Sequence, residues 1–233
     1  MRLLVTRPEP DNERTAQALR AQGHETVLAP LLRIETIADA DLGAPPFAAV
    51  LLTSANGARA VARHSRRGEL LHLPVLAVGR SSAEAARLAG FADVTSADGD
   101  ARDLTRLATG RFAGAKAPLL YLAGEDRSGE LALAGAAVRT VVIYHAAMAE
   151  HFQPEVREAL TQGRIDGVLH FSRQSAESYV TCGRDLGAAA MAPVHYCLSA
   201  RAAEPLRSAG AMHIHVAAHP DETSLLALVT PKS

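Results

Sequence analysis

The stretch AAVLLTSANGARAVA, residues 48–62, decides the fold class of this chain. A continuous apolar run over Ala48 to Leu52 leads into a hydroxyl-bearing turn, Thr53-Ser54, and then into a helical segment. Apolar runs without alternation are typical of parallel strands that are buried on both faces. The stretch DGVLHFSRQSAESYV, residues 166–180, repeats this order of strand, turn and helix. The two copies predict an α/β protein.

Other segments repeat at nearly the same distance. LPVLAVGRSSAEAARLAG (73–90) is echoed by APVHYCLSARAAEPLRSAG (192–210), and RLLVTRPEP (2–10) by PLLYLAGED (118–126). Ser54 and Ser172, at equivalent places in the first pair, lie 118 positions apart. A repeat of about half the chain predicts two related α/β lobes, with one single sheet as the alternative. Two capping boxes, Ser81-x-x-Glu84 and Asp100-x-x-Asp103, are predicted to open helices.

Composition limits the class of partner. The formal net charge is -1, which argues against a general nucleic-acid binder, and aromatic residues make up only 4% of the chain. No apolar run approaches the roughly 20 residues that a membrane helix needs. The first ten residues lack the apolar core of a signal peptide, so we expect a cytoplasmic protein. Cys182 and Cys197 are expected to be reduced, buried and inert.

Small polar residues and arginines follow most of the predicted strands. In open parallel sheets, ligands bind at the carboxyl ends of the strands, where loops lead into helices. A hydroxyl there either caps its helix or helps free N–H groups to bind an anion, and the sequence leaves both readings open. Phosphate-loop, dinucleotide and serine-elbow motifs do not occur in the sequence. The segments concerned are Thr6-Arg7, Thr53 to Asn56, Gly79 to Ser82, Gly124 to Arg127, Ser172 to Ser175 and Ser199 to Arg201.

Two further features each have two readings. His213 and His215 would share one face of a strand, which suits a metal site, but no third ligand is evident nearby. Tyr144 ends the apolar run Val141 to Tyr144 and is predicted to lie at a strand end. It is either a core aromatic that needs a hydroxyl partner or a proton donor to a leaving group.

Taken in order, these segments resemble the uroporphyrinogen-III synthase family over nearly the whole chain. The resemblance rests on the whole ordered set, since no one motif is diagnostic. The matching segments are LLVTRPEP (3–10), HETVLAPLLRIE (24–35), VLLTSANGARAV (50–61), LAVGRSSAEAARLAG (76–90), LYLAGEDRSGEL (120–131), VIY (142–144), SARAAEPLRSAG (199–210) and AHPDETSLLALV (218–229).

The resemblance implies a specific architecture. It predicts two similar parallel-sheet lobes of the flavodoxin-like, doubly wound kind, joined by a two-stranded β connector, with the first βαβ units exchanged. Lobe one would comprise residues 1–34 and 148–233, and lobe two residues 37–143. The linkers would be residues 33–37 and 143–147, with the active site in the cleft between the lobes.

The resemblance also implies an activity. Members of the family are lyases that need no cofactor and close the linear tetrapyrrole hydroxymethylbilane to uroporphyrinogen III, with inversion of the last ring and loss of water. We therefore expect a monomer with a tetrapyrrole substrate and neither a nucleic-acid nor a membrane partner. A transient contact with hydroxymethylbilane synthase is left open. The other hypotheses are a two-lobed binder or sensor of a small anionic metabolite, and an inactive homologue.

By the same resemblance, Tyr144 would assist departure of the hydroxyl. Two segments depart from the family pattern: many members have Gly-Pro-Thr-Thr where this chain has Ser199 to Ala202, and Arg-Gly where it has Ala123-Gly124. Arg127 and Arg201 are the residues that could supply the lost polarity. The predicted substrate-binding residues are Arg7, Thr53, Ser54, Asn56, Ser82, Gly124, Arg127, Ser172, Ser199, Arg201 and Thr223.

Overall fold

The structure is a computed structural model that describes residues 1–126 and 129–229. The strands are β1 (Arg2–Val5), β2 (Glu25–Leu28), β3 (Leu32–Thr36), β4 (Val50–Leu52), β5 (Val75–Ala77), β6 (Val94–Ser96), β7 (Leu119–Gly124), β8 (Val138–Met148), β9 (Gly167–His170), β10 (Val194–Cys197) and β11 (Ile214–Val216). The helices are α1 (Asp11–Ala21), α2 (Ala55–Val61), α3 (Arg67–Leu70), α4 (Arg80–Leu88), α5 (Ala101–Phe112), α6 (Pro154–Thr161), α7 (Arg173–Cys182), α8 (Ala188–Met191), α9 (Ala200–Ser208) and α10 (Glu222–Leu226), and a short 3-10 turn spans Arg184–Leu186.

The chain forms two compact units. Unit 1 comprises Met1–Arg33 and the chain from Ala147 onward, and it holds a parallel sheet of order β11-β10-β9-β1-β2. Leu3 of β1 pairs with Thr26 of β2 on one side and with Gly167 of β9 on the other. The N-terminal β1-α1-β2 segment thus belongs to the sheet of the C-terminal half.

Unit 2 is the continuous segment Ile34–Ala146, and its sheet has the order β3-β8-β7-β4-β5-β6. Strands β8, β7, β4, β5 and β6 pair in parallel. Strand β3 runs antiparallel to β8, because Ile37 N–H donates to Ile143 O while Ala149 N–H donates to Leu31 O. The prediction of an α/β protein with two sheets is confirmed, both sheets being mainly parallel, and the single-sheet alternative is wrong.

Each sheet is covered by apolar residues on both faces. In β4, Val50 and Leu52 pack into one core cluster and Leu51 into another, and all three are fully buried. In β1, Leu4 and Leu3 are divided in the same way between two clusters of unit 1. Burial on both faces is why these strands read as uninterrupted apolar runs.

The two predicted capping boxes have different outcomes. At α5, the Asp100 carboxylate accepts from the Asp103 N–H and the Asp103 carboxylate accepts from the Asp100 N–H, so this box is confirmed. The Ser81–Glu84 box is wrong. Only Val78 and Gly79 separate β5 from α4, so the helix begins at Arg80 with Gly79 as its N-cap, and Ser81 already lies inside the first turn.

Candidate functional site

The carboxyl edge of the sheet in unit 2 carries a cluster of hydroxyl-bearing residues around Tyr144. Thr53 and Ser54 follow β4, and Gly124 ends the neighbouring β7. Tyr144 lies on β8, the next strand along. We call Thr53, Ser54, Tyr121, Gly124 and Tyr144 the Tyr144 cluster.

A β-bulge aims Tyr144 at this edge. Ala123 pairs with Val142, but the next residue, Gly124, pairs with Tyr144, so Ile143 is an extra residue on β8. A bulge of this kind redirects the side chain that follows it. Ile143 remains fully buried in the core, while Tyr144 is half-buried. Because β8 continues to Met148, the prediction that Tyr144 ends a strand is wrong.

Gly124 makes room for the Tyr144 ring. A Cβ atom at Gly124 would lie 2.7 Å from ring carbons of Tyr144 and 2.8 Å from its phenol oxygen. Contacts this short force a neighbour to move, so the ring keeps its position only against a glycine. A main-chain hydrogen bond also holds Tyr144 against the end of β7, since Glu125 N–H donates to Tyr144 O over 3.1 Å.

The Tyr144 phenol is protonated at neutral pH. Burial raises its pKa above the ordinary value, and a hydrogen bond with the Ser54 hydroxyl offsets part of that rise. The nearby Tyr121 and Asp126 raise the pKa further, because negative charge disfavours a phenolate. A half-buried phenol that keeps its proton can donate a hydrogen bond or a proton to a ligand oxygen.

Tyr121 is a member of the cluster that the sequence did not reveal. Its phenol oxygen lies 2.9 Å from Thr53 Oγ1, and its side chain is only 4% exposed. Tyr121 pairs with Leu51, so Thr53 stands two residues further along on the same face of the sheet. A tyrosine within an aliphatic strand signals a need for a polar partner, but the partner is identifiable only once the β4–β7 pairing is known.

Two further predicted residues of unit 2 lie on the helices that follow β4 and β5. The side-chain oxygen of Asn56 accepts a hydrogen bond from Arg59 over 2.8 Å. The main-chain N–H of Asn56 donates over 3.1 Å to Oγ of Ser54, the N-cap of α2. Ser82 is buried in the first turn of α4, beyond β5. The predicted residue Arg127 lies outside the described residues.

At the carboxyl edge of the sheet in unit 1, the predicted serines cap helices. Ser172 Oγ accepts from Ser175 N–H over 3.1 Å at the start of α7, and Ser199 Oγ accepts from Ala202 N–H over 3.3 Å at the start of α9. The capping reading therefore applies to both hydroxyls. Arg201 and Thr223 are exposed in the first turns of α9 and α10.

Arg7, which follows β1, is held by several partners. Its Nη1 donates to Glu222 Oε2 over 2.9 Å and to Thr15 Oγ1 over 3.3 Å, and its guanidinium carbon lies 4.8 Å from the ring centre of Phe171. Glu222 also accepts from Thr15 and from Arg14. We call Arg7, Arg14, Thr15 and Glu222 the Arg7 cluster.

Glu222 is ionised within the Arg7 cluster. Burial raises its pKa, but the hydrogen bond from Thr15 and the interactions with Arg7 and Arg14 outweigh burial and hold the pKa below its ordinary value. The cluster therefore joins the guanidinium groups of Arg7 and Arg14 to the Glu222 carboxylate at the edge where an open sheet takes its ligands. Asp11 lies 3.8 Å from Arg7 and 3.5 Å from Arg14 on the same side.

Unit 1 also contains a buried histidine pair. His170 Nε2 lies 3.1 Å from His195 Nδ1, both side chains are fully buried, and the Tyr179 ring packs edge-on against them. Burial lowers the pKa of His195 to about 4. Burial and the neighbouring His195 lower the pKa of His170 well below its ordinary value. Both rings are neutral at pH 7.

The other predicted histidine and cysteine features have simple outcomes. The His215 ring stacks on Tyr196, and His213 O accepts from the His195 N–H. No group of three or more potential metal ligands occurs in residues 1–126 and 129–229. Cys182 and Cys197 are free and buried, as expected, and burial raises the pKa of both thiols, for Cys197 to about 12.

Comparison with known families gives a match along most of the chain. The family model described as uroporphyrinogen-III synthase HemD matches residues 13–227. The range includes all of unit 2 with the Tyr144 cluster and most of unit 1, while Arg7 lies before it. A search of curated proteins gave no significant match. In the part of the chain that the structure describes, no helix is long and apolar enough to cross a membrane.

Solved structures similar to the chain include three of uroporphyrinogen III synthase from Thermus thermophilus. The wild-type enzyme is 19% identical with a TM-score of 0.43, and the match covers 98% of this chain and 96% of that one. A triple mutant is 17% identical with a TM-score of 0.48, over 98% and 97%. A third structure is 18% identical with a TM-score of 0.44, over 97% of each chain. At such values, the assignment to a family comes from the family model.

Proposed function

The chain belongs to the uroporphyrinogen-III synthase family, and we propose that it closes hydroxymethylbilane to uroporphyrinogen III with inversion of the last pyrrole ring and loss of water. Membership of the family supports a lyase-type enzyme of tetrapyrrole biosynthesis. The observation that carries the proposal is the match over residues 13–227, which spans the elements of both units.

The reaction requires mainly that the enzyme hold the substrate in one geometry. Loss of the terminal hydroxyl leaves a cationic azafulvene that reacts readily with a pyrrole carbon, and the free bilane closes in water to the uninverted isomer. The enzyme must direct attack by the substituted carbon of the last ring, which gives a spiro intermediate that fragments and closes inverted. Holding one geometry and stabilising developing charge are effects that a site built from hydroxyls and main-chain N–H groups can provide.

Tyr144 is the residue that we assign to the leaving hydroxyl. Its phenol remains protonated, and its hydrogen bond with Ser54 fixes the orientation of the oxygen. As the carbon–oxygen bond breaks, the phenol donates to the departing oxygen, which leaves as water once it has received a proton. The bulge at Ile143 and the absence of a side chain at Gly124 support this role, because they hold the ring at the sheet edge.

The substrate-binding role is proposed for the remaining residues at the strand ends. The bilane carries eight carboxylates, and helix N-termini and guanidinium groups both attract carboxylates. In unit 2 these residues are Thr53, Ser54, Asn56, Ser82 and Gly124. In unit 1 they are Arg7, Ser172, Ser199, Arg201 and Thr223, and Arg127 completes the set.

The product of the reaction tests the proposal. Purified protein is incubated with enzymatically made hydroxymethylbilane, the products are oxidised, and the porphyrin isomers are separated, with heat-denatured protein as the control. We expect the type III isomer to dominate. Only the type I isomer, formed at the spontaneous rate, would leave the inactive homologue or the anion sensor as the better hypothesis. Tight, reversible binding of an anionic metabolite without turnover would favour the sensor.

A further inference from the structure

The Arg7 cluster has the composition of a complete carboxylate-binding site. One oxygen of Glu222 accepts from Arg7 over 2.9 Å and from Arg14 over 3.2 Å, and the other accepts from the Thr15 hydroxyl. Two guanidinium groups and a hydroxyl around one carboxylate form the kind of charge-assisted set that recognises carboxylates in ligands. The carboxylate that occupies it here belongs to the chain itself.

The surroundings fix Arg7 more firmly than Glu222. The Arg7 side chain is only 20% exposed, lies over the Phe171 ring and has Asp11 3.8 Å away. Arg14 is 50% exposed, and Asp11 lies 3.5 Å from its guanidinium. Glu222, in contrast to Arg7, is the first residue of the five-residue helix α10 and is 28% exposed. A change of rotamer at Glu222 would therefore free the site while leaving the guanidinium of Arg7 in place.

The cluster also lies where a ligand is expected. Arg7 follows β1, Phe171 follows β9 and α10 comes after β11, all at the carboxyl edge of one parallel sheet. The ends of parallel strands are where ligands of open α/β sheets bind. Thr223, beside Glu222, is exposed at the same edge.

We propose that Arg7, Arg14 and Thr15 form a binding site for a carboxylate of the substrate, and that Glu222 occupies this site in the free protein until the substrate displaces it. The proposal rests on the proposed function for the identity of the ligand, a polycarboxylate. Exchange of one carboxylate for another keeps both guanidinium groups paired, which avoids the large penalty of leaving a partly buried charge alone. Glu222 thus weakens the binding of anions that cannot compete with it.

The test is the affinity of the Glu222→Gln variant for a polycarboxylate. The probe is uroporphyrin III, with eight carboxylates, and its octamethyl ester is the uncharged comparison; binding is followed by fluorescence. Glutamine keeps the shape and can still hydrogen-bond, but it no longer competes as an anion. We expect uroporphyrin III to bind about 5- to 10-fold more tightly to Glu222→Gln than to the unaltered protein, which matches the usual free energy of a hydrogen bond to a charged group. The ester should show no such gain in affinity.

Two matched variants separate this role from a structural one. Glu158→Gln removes the exposed carboxylate that pairs with Arg164 in the same unit, ahead of β9 rather than after it, and it should leave the affinity unchanged. Adding Arg14→Gln to Glu222→Gln should abolish the gain, because the site loses a cation. Glu222→Asp keeps the charge on a shorter side chain. Its affinity for uroporphyrin III should therefore lie between those of the unaltered protein and Glu222→Gln.

Unchanged or weaker binding by Glu222→Gln, with a melting temperature close to that of the unaltered protein, would overturn the proposal. If Glu222→Gln does not fold, Glu222→Asp decides, and binding no tighter than that of the unaltered protein counts against it. Binding needs no turnover, so this outcome is distinguishable from failure of the proposed function. A protein that makes only the type I isomer yet gains affinity in Glu222→Gln would keep the carboxylate site and lose the synthase activity.

Discussion

The carboxyl edges of the two sheets carry different chemistry on the same plan. In unit 2 the Tyr144 cluster consists of uncharged hydroxyls and a glycine, joined by neutral hydrogen bonds. In unit 1 the Arg7 cluster consists of two cations, a hydroxyl and an anion. Related halves have thus diverged into one edge suited to donating a proton and another suited to holding charge.

Equivalent positions show where the divergence occurred. The helix N-caps are shared, since Ser54 and Ser172 each cap the helix after a buried strand. When RLLVTRPEP (2–10) is placed over PLLYLAGED (118–126), Val5 corresponds to Tyr121 and Arg7 to Ala123. The scaffold residues are common to both halves, and a few positions at the strand ends determine the chemistry.

The strongest test of this contrast pairs two tyrosine substitutions. Tyr144→Phe should lower kcat about 100-fold, the lower end of the usual contribution of general acid catalysis, and leave the melting temperature nearly unchanged. Tyr179→Phe, in unit 1, removes the buried hydrogen bond to Ala190 O and should lower stability while kcat stays the same. Steady-state kinetics and thermal unfolding measure both. Equal kcat in Tyr144→Phe and the unaltered protein would remove the proposed role of the phenol.

The next largest effect is expected at Gly124. Gly124→Ala places a methyl group within 2.7 Å of the Tyr144 ring, so the ring must move, at a cost of about 2 kcal/mol and with loss of activity. The control is Gly110→Ala in α5, where a Cβ meets no atom within 4 Å and should stabilise the helix by about 1 kcal/mol. Urea unfolding gives both values. A fully active Gly124→Ala variant would contradict the close fit of glycine and ring.

Acid should affect unit 1 first. The pKa values of His170 and His195 are lower in the folded than in the unfolded state, so the unfolded state binds protons first as the pH falls below about 6.5. The contribution of the two neutral histidines to the free energy of unfolding is fully present above that pH and declines below it. For His195 the loss is about 1 kcal/mol at pH 5.5. Hydrogen exchange at pH 7 and 5.5 should show the loss of protection in β9 and β10. A loss confined to unit 2 would contradict this.

The smallest effect concerns the partner of Thr53. Tyr121→Phe removes the 2.9 Å hydrogen bond to Thr53 and should cost about 1 kcal/mol of unfolding free energy. A double-mutant cycle with Thr53→Val isolates the pair, and we expect a coupling energy of about 1 kcal/mol. Additive effects of the two substitutions would mean that the hydrogen bond contributes nothing.

The sequence predicts the scaffold better than the contacts made across it. Apolar runs such as Val50 to Leu52 identify buried strands because burial on both faces leaves a local pattern. The N-cap serines are readable for the same reason, since Ser172 and its partner Ser175 are three residues apart. The Ser81–Glu84 box shows the limit of local reading, because the short β5–α4 connection decided where the helix begins.

Contacts between distant segments were beyond the sequence pattern. Arg7 and Glu222 are 215 positions apart, and Tyr121 and Thr53 are 68 apart. The bulge at Ile143 depends on how β8 pairs with β7, and no local residue pattern marks it. These features follow from strand order and register, which local periodicity does not determine.

The course of the chain through two units has a consequence for synthesis. Unit 2 is one continuous segment, Ile34–Ala146. It can therefore fold as soon as Ala146 has emerged from the ribosome, before the rest of unit 1 has been made. Strand β1 must wait for β9, since Arg2 binds Asp166 across 164 positions. In the nascent chain, β1 therefore remains without its neighbour β9 in the sheet of unit 1 while unit 2 can already fold. The β1–β9 pairing spans 164 positions and forms late.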